Sequence, residues 1–421
     1  MQSSIKLRLT VMNFLQFAVW GAYLTSMGRY LGTAGFGSEI GNFYAMQGLV
    51  SLFMPALMGI VADRWIPAQR LLGVCHMLAG MLMLGVFLYT QTDAPSYPSL
   101  FALYSLSVAF YMPTLALSNS VAYTSLDQAG LDLVKSFPPI RVFGTVGFIC
   151  TMIAVSLLGL EATSGQFAVS AIISLVLAVY AQTLPNCPTA PKGQSKSLVE
   201  ALGLRAFVLF KQRKMALFFI FSMLLGVSLQ ITNGFANPFI STFGEIPAYA
   251  DTFGVKYANI LISLSQLSET LCILLIPFAL RRFGIRRVML IAMVAWVLRF
   301  ALLGLGNPGS GVWLFLLSMI VYGVAFDFFN VSGSLFVDQE TDPSIRSSAQ
   351  GLFMIMTNGI GATLGSLGAQ AVINHFVHTE HDTTAILAGW SMSWYIFATY
   401  AAVVAVLFAL LFRYNSSTEA K

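Results

Sequence analysis

Apolar residues in this chain arrive in blocks of about 20, one after another, from the first dozen residues to about residue 412. A helix of that length crosses a hydrocarbon core about 30 Å thick. Only a helix or a closed barrel satisfies its backbone polar groups in such a medium, and blocks of this length suit helices. Charged types make up 9% of the 421 residues, whereas a soluble domain carries about 25%. Too little charge is left to clothe a globule in water. The blocks predict twelve spans, at 8–31, 39–61, 71–91, 98–121, 136–159, 165–185, 214–241, 256–279, 288–306, 311–336, 348–374 and 386–412. The first is too long for a signal segment and lacks a small-residue cleavage pattern, so it reads as a retained membrane helix.

The net charge of +5 does not mark a nucleic-acid binder, because the cations are not clustered on one face. They sit in the short gaps between blocks. With a cytoplasmic N-terminus and alternating spans, 19 of the 22 basic residues fall inside, including Lys6, Arg8, Arg70, Lys192, Lys196, Arg286, Arg287 and Lys421. Only Arg29, Lys256 and Arg299 fall outside. This positive-inside bias puts both termini in the cytoplasm. Cys75, Cys150, Cys187 and Cys272 lack metal-ligand spacing and read as small hydrophobes.

The longest inside gap, Leu184 to Lys214, divides the chain six plus six, with Leu198 to Phe210 a candidate interfacial helix. The halves echo one another: Val108-Ala109-Phe110 with Val324-Ala325-Phe326, and Pro138-Pro139-Ile140-Arg141 with Pro343-Ser344-Ile345-Arg346. The resulting expectation is residues 1–185 and 214–413 as two bundles, 186–213 as a cytoplasmic loop and 414–421 as a cytoplasmic tail. A 6+6 chain with a basic central loop and a G-x-x-x-D-R loop resembles the major facilitator superfamily. The implied fold is an all-α membrane protein of two pseudo-symmetric six-helix bundles, with the substrate held near the midplane between them. The resemblance makes Gly59, Asp63 and Arg64 a conformational latch.

Ionised groups cost several kcal/mol in a bilayer, roughly 2.5–3.5 on insertion scales. Only two carboxylates lie well inside the spans, Glu269 and Asp327. Neither has a basic residue at i±3 or i±4 in its own span. A carboxyl withdrawn from water holds a proton more readily, so both are candidates for proton coupling. Polar and aromatic groups share helix faces with them: Gln266 with Glu269, Gln230 with Asn233, Tyr322 with Phe326, and Arg141 with Thr145 and Phe148. A single amide at such a place is as well explained by a helix–helix hydrogen bond. Four such stripes favour a shared chamber for a small, neutral, hydroxylated and partly flat ligand.

Other features read as structure. Gly359, Gly361, Gly365 and Gly368 have no preceding strand and suit close helix packing rather than a phosphate loop. His375, His378 and His381 fall in an outer loop, and no metal is expected. His76 opens the third span with no assigned role. Pro55, Pro113, Pro238 and Pro277 are expected to kink their spans. Arg299 is expected to snorkel outward to a structural partner.

The segments MPALMGIVADRW (54–65), FPPIRVFGTVGFI (137–149), LQITN (229–233), SQLSETLCILLIPF (265–278), SMIVYGVAFDFFN (318–330) and IRSSAQGLF (345–353) closely resemble the nucleoside:H+ symporter family. The resemblance covers almost the whole chain. It implies a proton-coupled nucleoside importer of the bacterial inner membrane working by alternating access, monomeric, with lipid around it and no cofactor. It implies nucleoside contacts at Arg141, Thr145, Phe148, Gln230, Asn233, Gln266, Glu269, Tyr322 and Phe326, with Asp327 coupling proton movement. Arg29 stands where the family usually has a small polar residue. Gly234 and Ala236 stand where a larger apolar residue and a glycine are expected. The rival readings are a drug/H+ exporter or another small-metabolite/H+ symporter of the same fold. A membrane-embedded enzyme would need a nucleophile or metal constellation, and the sequence offers none.

Overall fold

The computed structural model describes residues 2–189, 197–202 and 204–414; Lys192, Lys196 and Lys421, with all but the first residue of the expected tail, lie outside them. Among the described residues the secondary structure is helical, with no strand. Ten helical stretches among the described residues are long and apolar enough to cross a membrane. Two further segments are apolar but shorter or interrupted. The first block is split into helices Gln2–Gly21 and Met27–Thr33, and Ala258–Ile273 has 16 residues. Large apolar side chains cover the outside, among them Leu274, Val179 and Leu158. Water would not tolerate so continuous a coat, whereas acyl chains do.

Several expected spans are broken where local chemistry demands it. The second is two helices, Ile40–Ser51 and Met54–Arg64, with Pro55 in the first turn of the latter. Proline is tolerated there because the first turn has no internal acceptor for its missing N–H. Pro277 likewise opens Ile276–Leu305, while Pro113, Pro138, Pro139 and Pro238 lie inside helices. The loop expected between the eighth and ninth spans shortens to a sharp break at Gly284. Helix runs on both sides of Gly284, whose φ of 74° and ψ of 163° only glycine adopts without strain. The candidate interfacial helix is two short pieces, Leu198–Ala201 and Leu204–Lys211.

The chain divides into two compact units. One holds Met1–Tyr30 and Leu49–Leu202, the other Leu31–Gly48 and Gly203–Lys421. The first is cored by Leu9, Met12, Leu72, Val121 and Leu126, with Cys75 and Cys187 buried among them as small hydrophobes. Cys272 is also buried, whereas Cys150 is exposed on an apolar helix face.

The second unit is cored by rings, with Phe218 against Phe329, Phe336 and Phe353, and Trp394 against Phe300. Its glycines permit close approach. A Cβ on Gly365 would sit 1.9 Å from the Val227 carbonyl oxygen, and one on Gly361 2.5 Å from that of Met223. Both therefore do the packing work expected of them, although Gly368 faces open space. Segment Leu31–Gly48 is tied into this unit by Gln370. Its amide accepts from Gly41 N–H at 2.5 Å and donates to the Gly37 carbonyl at 3.1 Å.

Candidate functional site

In the first unit, helix Leu133–Leu157 presents Arg141, Thr145 and Phe148 on its protected side, while Val142, Phe143 and Val146 are exposed. Glycine sets how near its neighbour comes. A Cβ on Gly147 would lie 2.1 Å from the Phe14 carbonyl oxygen, and one on Gly21 2.4 Å from that of Phe148. The backbones of Gln2–Gly21 and Leu133–Leu157 thus touch directly. The Arg141 guanidinium stacks 4.0 Å from the centroid of Phe17. Phe148 meets Trp20 edge-on at 6.3 Å, and Trp20 lies 6.0 Å from Tyr111.

Behind these rings is a polar network centred on His76. The sequence reading gave this residue no role, yet it is fully buried. Its Nε2 faces Gln16 Oε1 at 2.8 Å and its Nδ1 faces the Ser174 hydroxyl at 3.0 Å. Gln16 also donates to Thr114 at 2.7 Å, and Tyr111 donates to the Gln16 carbonyl at 2.9 Å. Polar groups spaced helically around an apolar stretch carried that signal. A lone histidine in one span did not reveal where its partners were.

In the second unit, four helices converge. Helices Arg213–Leu229 and Ile231–Thr242 meet at Gln230, whose side chain accepts from Asn233 Nδ2 at 2.9 Å. Ala258–Ile273 carries Gln266, buried with no hydrogen bond to its Oε1 among the described residues, and half-buried Glu269. Val312–Glu340 carries Tyr322 and Phe326, stacked at 5.6 Å and 15°, and buried Asp327. The last two helices are pressed together at Gly323, where a Cβ would lie 2.5 Å from the Ser268 carbonyl oxygen.

Arg299 overturns an expectation. It does not snorkel outward but is 2% exposed, because Ile276–Leu305 turns this face into the unit. It donates to the Ser318 carbonyl at 2.8 Å, to Thr232 Oγ1 at 3.2 Å and to Ser265 Oγ at 3.4 Å. Its guanidinium lies 4.5 Å from the centroid of Tyr322.

The remaining candidates are peripheral to these clusters. Asp63 is half-buried, Arg64 is exposed, and Gly59 faces open space. Arg29 pairs with Glu161 at 3.3 Å. The space left beside Gly234 is closed by the Tyr44 ring, 3.1 Å from where a Cβ would be, and Ala236 is fully buried. Among the described residues no group of three metal-ligating side chains occurs.

A buried carboxyl and an amide-and-ring cluster recur in many membrane proteins, so relatives decide the family. The sequence profile described as "Nucleoside H+ symporter" matches residues 3–417. The chain belongs to the nucleoside H+ symporter family. This symporter chain is 49% identical to the xanthosine permease of Escherichia coli K12 over 99% of its own length and 98% of the relative's. It is 46% identical to nucleoside permease NupG of the same strain, over 98% and 97%. A crystal structure of nucleoside transporter NupG superposes with a TM-score of 0.88 at 45% identity, covering 98% of this symporter and 100% of that chain. An auto-inhibited POT family peptide transporter, 15% identical with a TM-score of 0.70 and coverage of 100% and 98%, shares the fold.

Proposed function

We propose that this protein imports nucleosides together with protons across the bacterial inner membrane. The observation that carries the reading is the family match over nearly the whole chain, in a protein whose buried Asp327 and half-buried Glu269 share helices with stacked rings and amides. A flat, hydroxylated ligand needs that mixture. Aromatic faces take the base, and amides and carboxylates take ring edges and ribose hydroxyls.

In this reading Phe148, Tyr322 and Phe326 stack on the base. Arg141, Thr145, Gln230, Asn233, Gln266 and Glu269 hydrogen-bond its edges and the ribose. Asp327 takes the coupled proton, with Glu269 as its second. The loaded, neutralised site then permits the inward transition, since a charged carboxylate would oppose it. A proton entering gains about 2.3 kcal/mol per 100 mV of membrane potential. The wider organisation we propose is twelve spans of the major facilitator type, in two six-helix halves working by alternating access. Both termini are cytoplasmic, the protein is a monomer in lipid, and Gly59, Asp63 and Arg64 form its latch.

Uptake into proteoliposomes tests the reading. An inwardly directed proton gradient should drive accumulation of a radiolabelled nucleoside above its external concentration, and an ionophore that collapses the gradient should abolish it. Accumulation indifferent to the gradient, or nucleoside leaving in exchange for protons, would overturn it.

A further inference from the structure

Arg299 is a cation sunk in the second unit, and its partners are a carbonyl, two hydroxyls and a ring rather than a carboxylate. Each partner belongs to a helix other than its own, and each adjoins a nucleoside-contact position of the proposed site. Thr232 precedes Asn233, Ser265 precedes Gln266, and Tyr322 is itself a contact stacked on Phe326. Ser318 lies one turn before Tyr322 and returns a hydrogen bond, donating from its hydroxyl to the Arg299 carbonyl at 2.9 Å. Trp296, one turn before Arg299, meets Tyr322 edge-on at 5.9 Å and 88°, so the ring is held from two sides.

Filling this space does not require charge. A long apolar side chain would do so without desolvating a cation, although it would leave the Ser318 carbonyl without this donor. What the guanidinium adds is geometric. Its donors are fixed in one plane, and its flat face stacks on an aromatic ring. One rigid group therefore sets the mutual placement of Ile231–Thr242, Ala258–Ile273 and Val312–Glu340.

We propose that Arg299 is a positioning residue for nucleobase recognition. It fixes the plane of the Tyr322–Phe326 ring pair and, through Thr232 and Ser265, the stance of the neighbouring amides. This rests on the nucleoside reading of the site. Arg299 touches no ligand and acts through the rings and the neighbouring amides.

The test is equilibrium binding of adenosine and uridine to the purified full-length protein, with thermal melting alongside. Arg299→Lys and Arg299→Met are made alone and in a Phe326→Ala background. Lysine keeps the charge but neither spans three acceptors nor lies flat on a ring. We expect Arg299→Lys to melt as cooperatively as the parent and to bind about ten- to a hundredfold more weakly, the range a small misplacement produces. In the Phe326→Ala background the loss should shrink, since one of the two rings through which Arg299 acts is gone. Unchanged affinity in folded Arg299→Lys would overturn the proposal. So would a loss that adds in full to that of Phe326→Ala, or failure of both variants to fold, which would make the residue structural only. A parent protein that binds neither nucleoside takes down the reading of the site itself, whereas equal binding by parent and Arg299→Lys removes only the positioning role.

Discussion

His76 Nε2 and Gln16 Oε1 lie 2.8 Å apart, with both side chains fully buried. Because the Gln16 amide nitrogen is committed to Thr114, its oxygen must accept, and the imidazole donates from Nε2. Its Nδ1 faces the Ser174 hydroxyl at 3.0 Å, and that hydroxyl also donates to the His76 backbone carbonyl at 2.9 Å. Three helices, Gln2–Gly21, Ala68–Tyr89 and Gly165–Tyr180, are joined by one side chain.

Replacing His76 with Leu should therefore cost stability rather than recognition. It leaves the Gln16 oxygen without its donor, at about 1–3 kcal/mol for a buried group left unsatisfied, while the Ser174 hydroxyl keeps its bond to the backbone carbonyl of residue 76. A lower melting temperature in detergent with unchanged nucleoside affinity is the expected pair of results. An unchanged melt would mean that the network holds nothing together.

Asp327→Asn should abolish uphill uptake while leaving exchange of labelled for unlabelled nucleoside measurable. The amide nearly matches the carboxyl in shape but cannot take up and release a proton. Glu269→Gln should weaken binding as well, since Glu269 is placed both as a contact and as the second acid. Intact gradient-driven accumulation in Asp327→Asn would remove that residue from coupling.

Two glycine substitutions should separate packing from gating. Gly147→Ala drives a methyl into the Phe14 carbonyl, 2.1 Å away, so little folded protein is expected. Gly59→Ala meets nothing within 4 Å and should melt like the parent. If Gly59 serves the latch, transport by Gly59→Ala falls at constant binding affinity. Wild-type transport in that variant would dismiss the latch.

The exposed pair Asp251 and Lys256, 2.8 Å apart, should contribute nothing to pH dependence near neutrality. Hydrogen bonding and charge from Lys256 lower the Asp251 carboxyl below its ordinary 3.8. A depressed carboxylate stabilises the fold above its unfolded pKa and loses that contribution only as pH falls through the folded value. The window lies below about 3.8, and solvent screens the pair in any case. Uptake and melting measured across the neutral range should be the same for Asp251→Asn and the parent.

The sequence alone determined that this chain is helical, that it crosses a membrane repeatedly, and that few of its ionisable groups are buried. Those properties follow from transfer energies summed along a span, and neighbours do not alter them. The motif around Tyr322, Phe326 and Asp327 was legible for a related reason, since an acid among rings in an apolar stretch is conspicuous wherever the helix faces.

Only the tertiary structure decided which way Arg299 and His76 point. An arginine near the end of an apolar block suits a snorkelling residue as well as a buried one, and periodicity within one helix does not separate them. The difference lies in polar partners on other helices, Ser265, Thr232 and Ser318 for Arg299, Gln16 and Ser174 for His76. The break at Gln230, inside the expected span 214–241, was hidden for the same reason. A hydropathy window averages over it, and whether a broken turn is tolerated depends on what neighbouring helices supply to its backbone.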